Sequence, residues 1–227
     1  MEYSYTKEEL HELGKTLNEW KGKEDKYRPV DCFWRGPIGK AYYHRNIIDP
    51  KTRVNGFKIF VGDLPVKTIL EIGCNDGHNL TALSMIKGRN YELHGIDPFG
   101  YALQQGHESG CPATLVEADA FNIPYSDNSF DLVFTYGVLT HISNKYLPEA
   151  VYEIYRVCRK FVLVIEYGVM IDTQEVVVFD SGVEFLTHRS YTNIFPNLRA
   201  CGVITKREFD DFGKIPLSWW LFDLEKV

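Results

Sequence analysis

Short β-branched runs alternate along this chain with amphipathic stretches of helical period. These runs predict strands at residues 68–72, 91–97, 114–117, 132–135 and 161–165. Helices are predicted between them, at about residues 78–86, 98–107 and 148–159. Strands that alternate with helices indicate an α/β fold with a mainly parallel sheet.

The region before the first strand has a different pattern. A capping box at residues 6–9 precedes an apolar stripe at residues 10–20, and together they predict an amphipathic N-terminal helix. A second helix is predicted at about residues 52–62. Residues 32–46 between them are dense in aromatic and cationic side chains, and are too irregular for a core element. Residues 1–62 are therefore expected to form a helical lid on the rest of the chain.

The region after the fifth strand also departs from the alternation. Residues 172–187 form an insertion with a β-like run at 176–179, and a helix is expected from His188 to about residue 197. Residues 199–210 and 218–226 predict a terminal antiparallel pair of strands.

A glycine-containing turn connects the first predicted strand to the next helix. Gly73, Asn75 and Gly77 follow strand 68–72, and all three residue types tolerate a positive φ. A strand, a glycine turn and a helix N-terminus form the usual nucleotide-binding corner of a doubly wound sheet. The ligand-binding edge of the sheet is therefore expected here.

The spacing of the glycines distinguishes between two nucleotide ligands. A dinucleotide fingerprint needs Gly-x-Gly-x-x-Gly, but the register from Gly73 places Asn75 and His78 at the other two glycine positions. The pattern acidic-x-Gly-x-Gly-x-Gly fits better, with Glu71, Gly73, Asn75 and Gly77. On these residues the sequence resembles the class I S-adenosylmethionine-dependent methyltransferases, from which it departs at Asn75.

The resemblance implies the superfamily's Rossmann-like doubly wound, seven-stranded mixed sheet of order 3-2-1-4-5-7-6, with S-adenosylmethionine as cofactor and S-adenosylhomocysteine as product. The domain would span residues 63–227 as one compact unit. Asp97, at the end of the second strand, would hold the ribose diol, although it also suits a cap for the following helix. Asp119 would meet the adenine amino group. The expected cofactor contacts are Glu71, Gly73, Cys74, Asn75, Gly77, Asp97, Pro98, Asp119, Ala120, Thr135 and Tyr136.

A narrower resemblance rests on residues 33–46, the Glu166–Tyr167 pair and the C-terminal strand. The pattern Phe-Trp-x-Gly-x-x-Gly-x-x-Tyr-x-x-Arg-Asn is similar to methylases associated with pseudaminic acid biosynthesis, and to the N-terminal lid of amino-sugar N-methyltransferases. The insertion at 172–187 does not match that group well. The residues expected near the substrate are Trp34, Arg35, Tyr42, Tyr43, Arg45, Glu166, Tyr167, His188 and Arg189.

The loop after the fourth strand carries the candidate catalytic residues, His141 and Tyr136. Histidine titrates near neutral pH, so His141 suits a general base for a hydroxyl acceptor. Its alternative role is to pack beneath the site and orient the loop. Methyl transfer from a sulfonium mainly needs alignment and exclusion of water. Because the sequence shows no clustered Asp/His set, it predicts metal independence.

Composition excludes several other classes. The 227 residues carry a net charge of −6 and no basic run, which disfavours a nucleic-acid partner. No apolar run reaches membrane-spanning length, and the first residues do not resemble a signal peptide. Five isolated cysteines fit reduced thiols in a cytoplasmic protein.

The expected function is methyl transfer to an O or N atom of a small sugar-like or nucleotide-sugar metabolite. Two alternatives stay open: the same reaction on a lipid, quinone or peptide acceptor, and a non-catalytic protein that binds S-adenosylmethionine and acts through a partner. The second is disfavoured because Glu71, Gly73, Gly77, Asp97 and Asp119 are all present.

Overall fold

The computed structural model describes residues 34–167, 175–178, 185–192, 194–195, 197–203 and 217–224, with the backbone alone at 37–38, 175–178 and 185–188. The helix predicted from residue 6 onward, and the cysteine at position 32, lie outside the described residues.

A seven-stranded mixed sheet forms the centre of the described chain, in the order β3-β2-β1-β4-β5-β9-β8. Strands β1 to β5 are parallel, whereas β9 runs antiparallel to both β5 and β8. This is the predicted order 3-2-1-4-5-7-6 once the separate β6–β7 hairpin is left out of the count. The strands are β1 (Thr68–Ile72), β2 (Glu92–Asp97), β3 (Thr114–Glu117), β4 (Phe130–Tyr136), β5 (Cys158–Glu166), β6 (Glu175–Val178), β7 (Phe185–His188), β8 (Leu198–Val203) and β9 (Ser218–Asp223).

Two helices precede the first strand: α1 (Pro37–Arg45) and α2 (Val54–Val61). Three more lie between parallel strands, as the periodicity predicts: α3 (His78–Ser84), α4 (Gly100–Glu108) and α5 (Leu147–Val157). Short 3₁₀ helices lie at Pro50–Arg53 and Leu139–His141.

Two local predictions are wrong. The aromatic segment before the first strand is not irregular throughout, because α1 begins at Pro37, a residue well suited to the first turn of a helix. Its Ala41 is fully buried, so the segment packs like an ordinary helix. His188 does not open a helix: it ends strand β7, where its backbone pairs with Glu175 across the hairpin. Backbone pairing with a partner far along the chain therefore overrides the local pattern.

The core lies on both faces of the sheet, since successive side chains of a strand point in opposite directions. Ile69 and Leu70 of β1 are both fully buried, yet they belong to two different apolar clusters. Phe57 of α2 and Leu80 of α3 pack in the cluster of Ile69, while Ile154 of α5 packs in that of Leu70. The helices thus leave the carboxyl edge of the sheet available for a site.

Candidate active site

The glycine turn after β1 has three left-handed residues at alternate positions. The φ angles of Gly73, Asn75 and Gly77 are 70°, 53° and 77°. Asn75 therefore takes the conformation that a glycine would take, and asparagine is the residue type besides glycine that best tolerates it. A Cβ on Gly73 would lie 2.4 Å from Cγ2 of Val138, so the turn also needs a glycine there for close packing.

Asp97, at the end of β2, ties the glycine turn to the neighbouring strand. Its Oδ2 accepts a hydrogen bond of 2.8 Å from the Asn75 N–H, and its Oδ1 accepts one of 2.9 Å from the Phe99 N–H. The second bond closes a turn ahead of α4, whose N-cap is Phe99 itself. Burial raises the pKa of Asp97 to about 6, although both hydrogen bonds lower it.

Glu71 lies one layer behind the site. Its side chain is 1% exposed, and Oε1 accepts a 2.7 Å hydrogen bond from the side-chain amide of Asn79, while Oε2 has no hydrogen-bond partner. Burial raises the pKa of Glu71 well above its usual range. The charge of Arg53 opposes that rise. Asn79 and Arg53 both line the cavity described below, whereas Glu71 lies behind them and does not line it.

Arg53 is a buried cation that the sequence pattern did not single out. It is 5% exposed, and its guanidinium carbon lies 4.4 Å from the ring centroid of Tyr136. An arginine in a short helix ahead of the first strand carries no motif, so only the fold brings it to the end of β4. Such a buried cation is expected beside an anionic ligand group.

The segment after β3 places Asp119 at the far side of the same edge. Its Oδ1 accepts a 2.9 Å hydrogen bond from the Phe121 N–H, and its Oδ2 lies 3.8 Å from Nη2 of Arg35. The Arg35 Nε also donates to the carbonyl of Pro98, at 3.4 Å. Arg35 thus contacts the residues expected around the adenosine rather than the loop that carries His141.

The loop after β4 turns sharply and presents His141. Gly137 has a φ of 67°, and the 3₁₀ helix that ends at His141 follows directly. The indole of Trp34 stands edge-on to the imidazole of His141, with 4.9 Å between ring centroids, and stacks similarly on Tyr42 at 5.1 Å. The segment before β1 therefore covers the loop that carries His141.

A single cavity of about 560 Å³ joins these features. Trp34, Tyr42, Arg45, Gly73, Asn75, Asp97, Pro98, Asp119, Ala120, Tyr136, His141 and Tyr167 are predicted site residues that line it. The lining also includes residues that the pattern did not predict, among them Arg53, Ile72, His78, Asn79, Phe99, Val138 and Ile142. Most of these are apolar or lie between motif residues, so the sequence offered no separate indication of them.

The remaining predicted residues lie elsewhere among the described residues. Cys74 is buried with its sulfur against Gly95, and the Thr135 hydroxyl donates to Glu166. Tyr43 packs edge-on against Tyr101, at 5.6 Å between centroids. For His188 only the backbone is described. Those that do not line the cavity are Arg35, Tyr43, Glu71, Cys74, Gly77, Thr135, Glu166 and Arg189.

Across the described ranges, no group of three or more His, Cys, Asp or Glu side chains is arranged to hold a metal ion. Metal independence stays a prediction. Within the same ranges, no helix has the length and apolar character needed to cross a bilayer.

Comparison with known proteins finds a family match in the part of the chain that builds this site. Residues 70–165, from β1 to the end of β5, match the family described as "Methyltransferase domain". The matched segment is less than half of the chain, and it contains the glycine turn, Asp97 and the loop that carries His141.

Two solved structures share the fold of this chain. A candidate O-methyltransferase of Nostoc punctiforme superposes with a TM-score of 0.64 at 12% identity, covering 95% of this chain and 68% of that one. The 1,6-didemethyltoxoflavin N1-methyltransferase of Burkholderia thailandensis, with S-adenosylhomocysteine and 1,6-didemethyltoxoflavin bound, gives 0.59 at 8% identity, covering 98% and 92%. At these identities the likeness concerns the fold.

One curated relative is similar in sequence. An uncharacterized protein of Haemophilus influenzae is 29% identical over 111 residues, which are 46% of this chain and 43% of the relative. The match thus spans less than half the length of that relative.

Proposed function

We propose that this protein transfers a methyl group from S-adenosylmethionine to an O or N atom of a small sugar-like or nucleotide-sugar metabolite, without a metal. One observation carries the proposal: one cavity is lined both by Gly73, Asn75, Asp97 and Asp119, which form the proposed cofactor end, and by Trp34, Tyr136 and His141, which form the proposed acceptor end. A cofactor bound at the first end would point its sulfonium methyl towards the second.

The cofactor end has the groups that S-adenosylmethionine needs. Asp97 would accept the ribose hydroxyls, and Asp119 would accept the adenine amino group. Arg53 is a buried residue of the cavity lining and lies beside Tyr136. It would hold the carboxylate of the amino acid tail. Each assignment pairs a charged side chain with a ligand group of the complementary kind.

The acceptor end favours alignment and exclusion of water, which methyl transfer requires. Trp34 covers His141 edge-on, so the imidazole is shielded on one side. One ring nitrogen of His141 would take the proton of a hydroxyl acceptor as the O–CH₃ bond forms and the S–CH₃ bond breaks, releasing S-adenosylhomocysteine. An amine acceptor that arrives neutral would not need this base.

The lining of this end suits a small polar acceptor with a flat or ring-shaped body. Trp34, Tyr42 and Tyr167 supply aromatic surface, and Arg45 supplies a cation for an anionic group such as the phosphate of a nucleotide sugar. The carboxylates among the described lining residues are Asp97 and Asp119, both at the cofactor end. A cationic acceptor is accordingly disfavoured.

Thermal melting of the purified protein with S-adenosylhomocysteine, beside NAD as control, tests the cofactor. A ligand that binds the folded state raises the melting temperature by mass action, so a shift with S-adenosylhomocysteine alone is expected. Asp97→Ala should reduce the shift at the same ligand concentration. A shift with NAD instead, or with neither ligand, would contradict the cofactor assignment.

Transfer of labelled methyl from S-adenosylmethionine to a panel of acceptors then tests the substrate class. The panel contains nucleotide sugars, free amino sugars, quinones, lipids and peptides. Label in a nucleotide sugar or an amino sugar is the expected result. Label that enters only lipids, quinones or peptides would retain the reaction and overturn the sugar-like acceptor.

A further inference from the structure

Glu166, the last residue of β5, holds the loop after β4 by its backbone. The side chain is fully buried. Its Oε1 accepts hydrogen bonds of 3.0 Å from the N–H groups of Val138 and Leu139, and its Oε2 accepts one of 3.1 Å from the N–H of Thr140. The Thr135 hydroxyl adds a fourth donor at 2.8 Å. One carboxylate thus satisfies three successive amides of a sharp turn.

Arg189 donates hydrogen bonds to backbone carbonyl groups of the same turn. It follows β7, which packs beside the 3₁₀ helix, and it is 4% exposed. Nη2 donates to the carbonyl of Ile142 at 2.7 Å, and Nη1 lies 3.4 Å from the carbonyl of Leu139. The negative charge of Glu166 also acts on the guanidinium of Arg189. Two buried side chains of opposite charge therefore hold one turn.

This turn contacts residues from both proposed ends of the cavity. Val138 lies so close to Gly73 that no Cβ fits between them, which places the turn directly against the glycine turn. Two residues further on, His141 packs against Trp34. A shift of the turn would therefore move the candidate base relative to the cofactor.

We propose that Glu166 and Arg189 are positioning residues, a buried clamp that holds residues 138–142 so that His141 faces the transferred methyl group. The proposal rests on the proposed function, because it assigns the clamp a role in the same transfer. It replaces the expectation that the two residues touch substrate. Neither lines the cavity.

The hydrogen-bond count supports the clamp over a substrate contact. Three of the four donors share Oε1 of Glu166 and the fourth meets Oε2, so the turn and Thr135 take up most of the acceptor capacity of this buried carboxylate. Removing it would leave buried amides without acceptors, which proteins rarely tolerate. The loop would then rearrange to reach water, and His141 would move with it.

Two substitutions at Glu166 test the clamp. Glu166→Gln keeps the shape but turns one end into a donor that faces backbone N–H groups. Glu166→Asp keeps the charge on a side chain one methylene shorter. We expect hydrogen exchange of the peptide at 137–142 to quicken by about tenfold or more in Glu166→Gln and by less in Glu166→Asp, because bonds to a charged acceptor are the strong ones. kcat should fall in the same order, with S-adenosylhomocysteine affinity within about threefold of wild type.

Asp131→Asn is the matched control. Asp131 is also a buried carboxylate, and it accepts from the N–H groups of Lys67 and Thr68 at the opposite edge of the sheet. This variant should leave kcat and exchange at 137–142 unchanged. The comparison separates the loss of the clamp from the loss of any buried carboxylate.

Exchange at 137–142 like that of wild type in Glu166→Gln, with kcat intact, would overturn the proposal. A raised KM for the acceptor with kcat and exchange unchanged would instead identify Glu166 as a substrate contact. If Glu166→Gln does not fold, Arg189→Lys gives the same test from the carbonyl side, with a smaller effect in the same direction. Exchange needs no turnover, so the clamp is still judged if no acceptor is methylated and the proposed function fails.

Discussion

The pKa values of buried carboxylates are shifted in opposite directions at the two edges of the sheet. At the amino edge, burial tends to raise the pKa of Asp131, but hydrogen bonds from Arg159, the Lys67 N–H and Lys160 hold it well below its usual range. At the carboxyl edge, burial prevails and raises the pKa of Asp97 to about 6 and that of Glu166 to about 7.

The pKa values differ because the carboxylates have different hydrogen-bond and ion-pair partners. Asp131 has cations close by, with Arg159 Nη2 at 2.6 Å and Lys160 Nζ at 3.0 Å. Among the described residues, the donors to Asp97 are backbone N–H groups, and those to Glu166 are backbone N–H groups and one hydroxyl. Neutral donors compensate a buried charge less than a cation does.

The sign of each shift gives its effect on stability. The lowered pKa of Asp131 means that its ionised form stabilises the fold above about pH 4, and that this contribution is lost as the pH falls further. The raised pKa values of Asp97 and Glu166 have the opposite sign, so ionising these groups costs stability as the pH rises through about 6 and about 7. Ionised Asp131 at the amino edge thus stabilises the fold, whereas ionised Asp97 and Glu166 at the carboxyl edge destabilise it.

His141→Ala should give the largest effect at the carboxyl edge. Loss of a general base lowers kcat by about 100-fold or more for a hydroxyl acceptor, with S-adenosylhomocysteine affinity unchanged. Steady-state kinetics and calorimetry measure the two quantities. His107→Ala, at an exposed position of α4, is the control. Turnover equal to that of wild type would reduce His141 to a packing residue.

Asp97→Ala should weaken S-adenosylhomocysteine binding by about 30-fold, because hydrogen bonds to a charged acceptor contribute about 2 kcal/mol. The melting temperature without ligand should change little, since a charge with a raised pKa is removed together with two backbone hydrogen bonds. Isothermal calorimetry, with the exposed Asp63→Ala as control, provides the measurement. An unchanged dissociation constant would contradict the ribose assignment.

Asp131→Asn, at the amino edge, should lower stability and leave ligand binding unchanged, the opposite of the result expected for Asp97→Ala. Losing the paired charge lowers the free energy of unfolding by about 2 kcal/mol at neutral pH, with ligand affinity unaffected. The stability difference from wild type should shrink as the pH falls below about 4, where Asp131 becomes protonated in the unfolded chain. Urea unfolding at several pH values measures it. A loss of affinity as large as that of Asp97→Ala would break the contrast between the edges.

The pH dependence of binding should give the smallest effect. S-adenosylhomocysteine affinity should fall as the pH drops below about 6, by up to about tenfold per unit, because a protonated Asp97 loses an acceptor for the ribose. Asp97→Asn should show weak binding with a flat profile over the same range. A wild-type profile that is flat between pH 7 and about 5 would mean that Asp97 does not meet the ligand as a carboxylate.

Much of the framework was predictable because it depends on neighbours in the chain. The period of apolar residues indicated the parallel strands and their helices, and the spacing of Gly73, Asn75 and Gly77 predicted the turn whose φ angles are positive. Asp97 follows the same logic, since a residue at the end of a strand must lie at the edge of the sheet. The strand order came from the resemblance, and the structure confirms it.

The tertiary structure decided which side chains share a space. Arg53 lies far along the chain from Tyr136, and Arg189 from the turn that it holds, so no local pattern links them. The direction of Glu166 is of the same kind: its position at the end of β5 was visible, but it accepts from the loop after β4 because that loop folds over it. Local spacing sets backbone conformation within a few residues, whereas the partner of a buried charge depends on which distant segments the packing brings together.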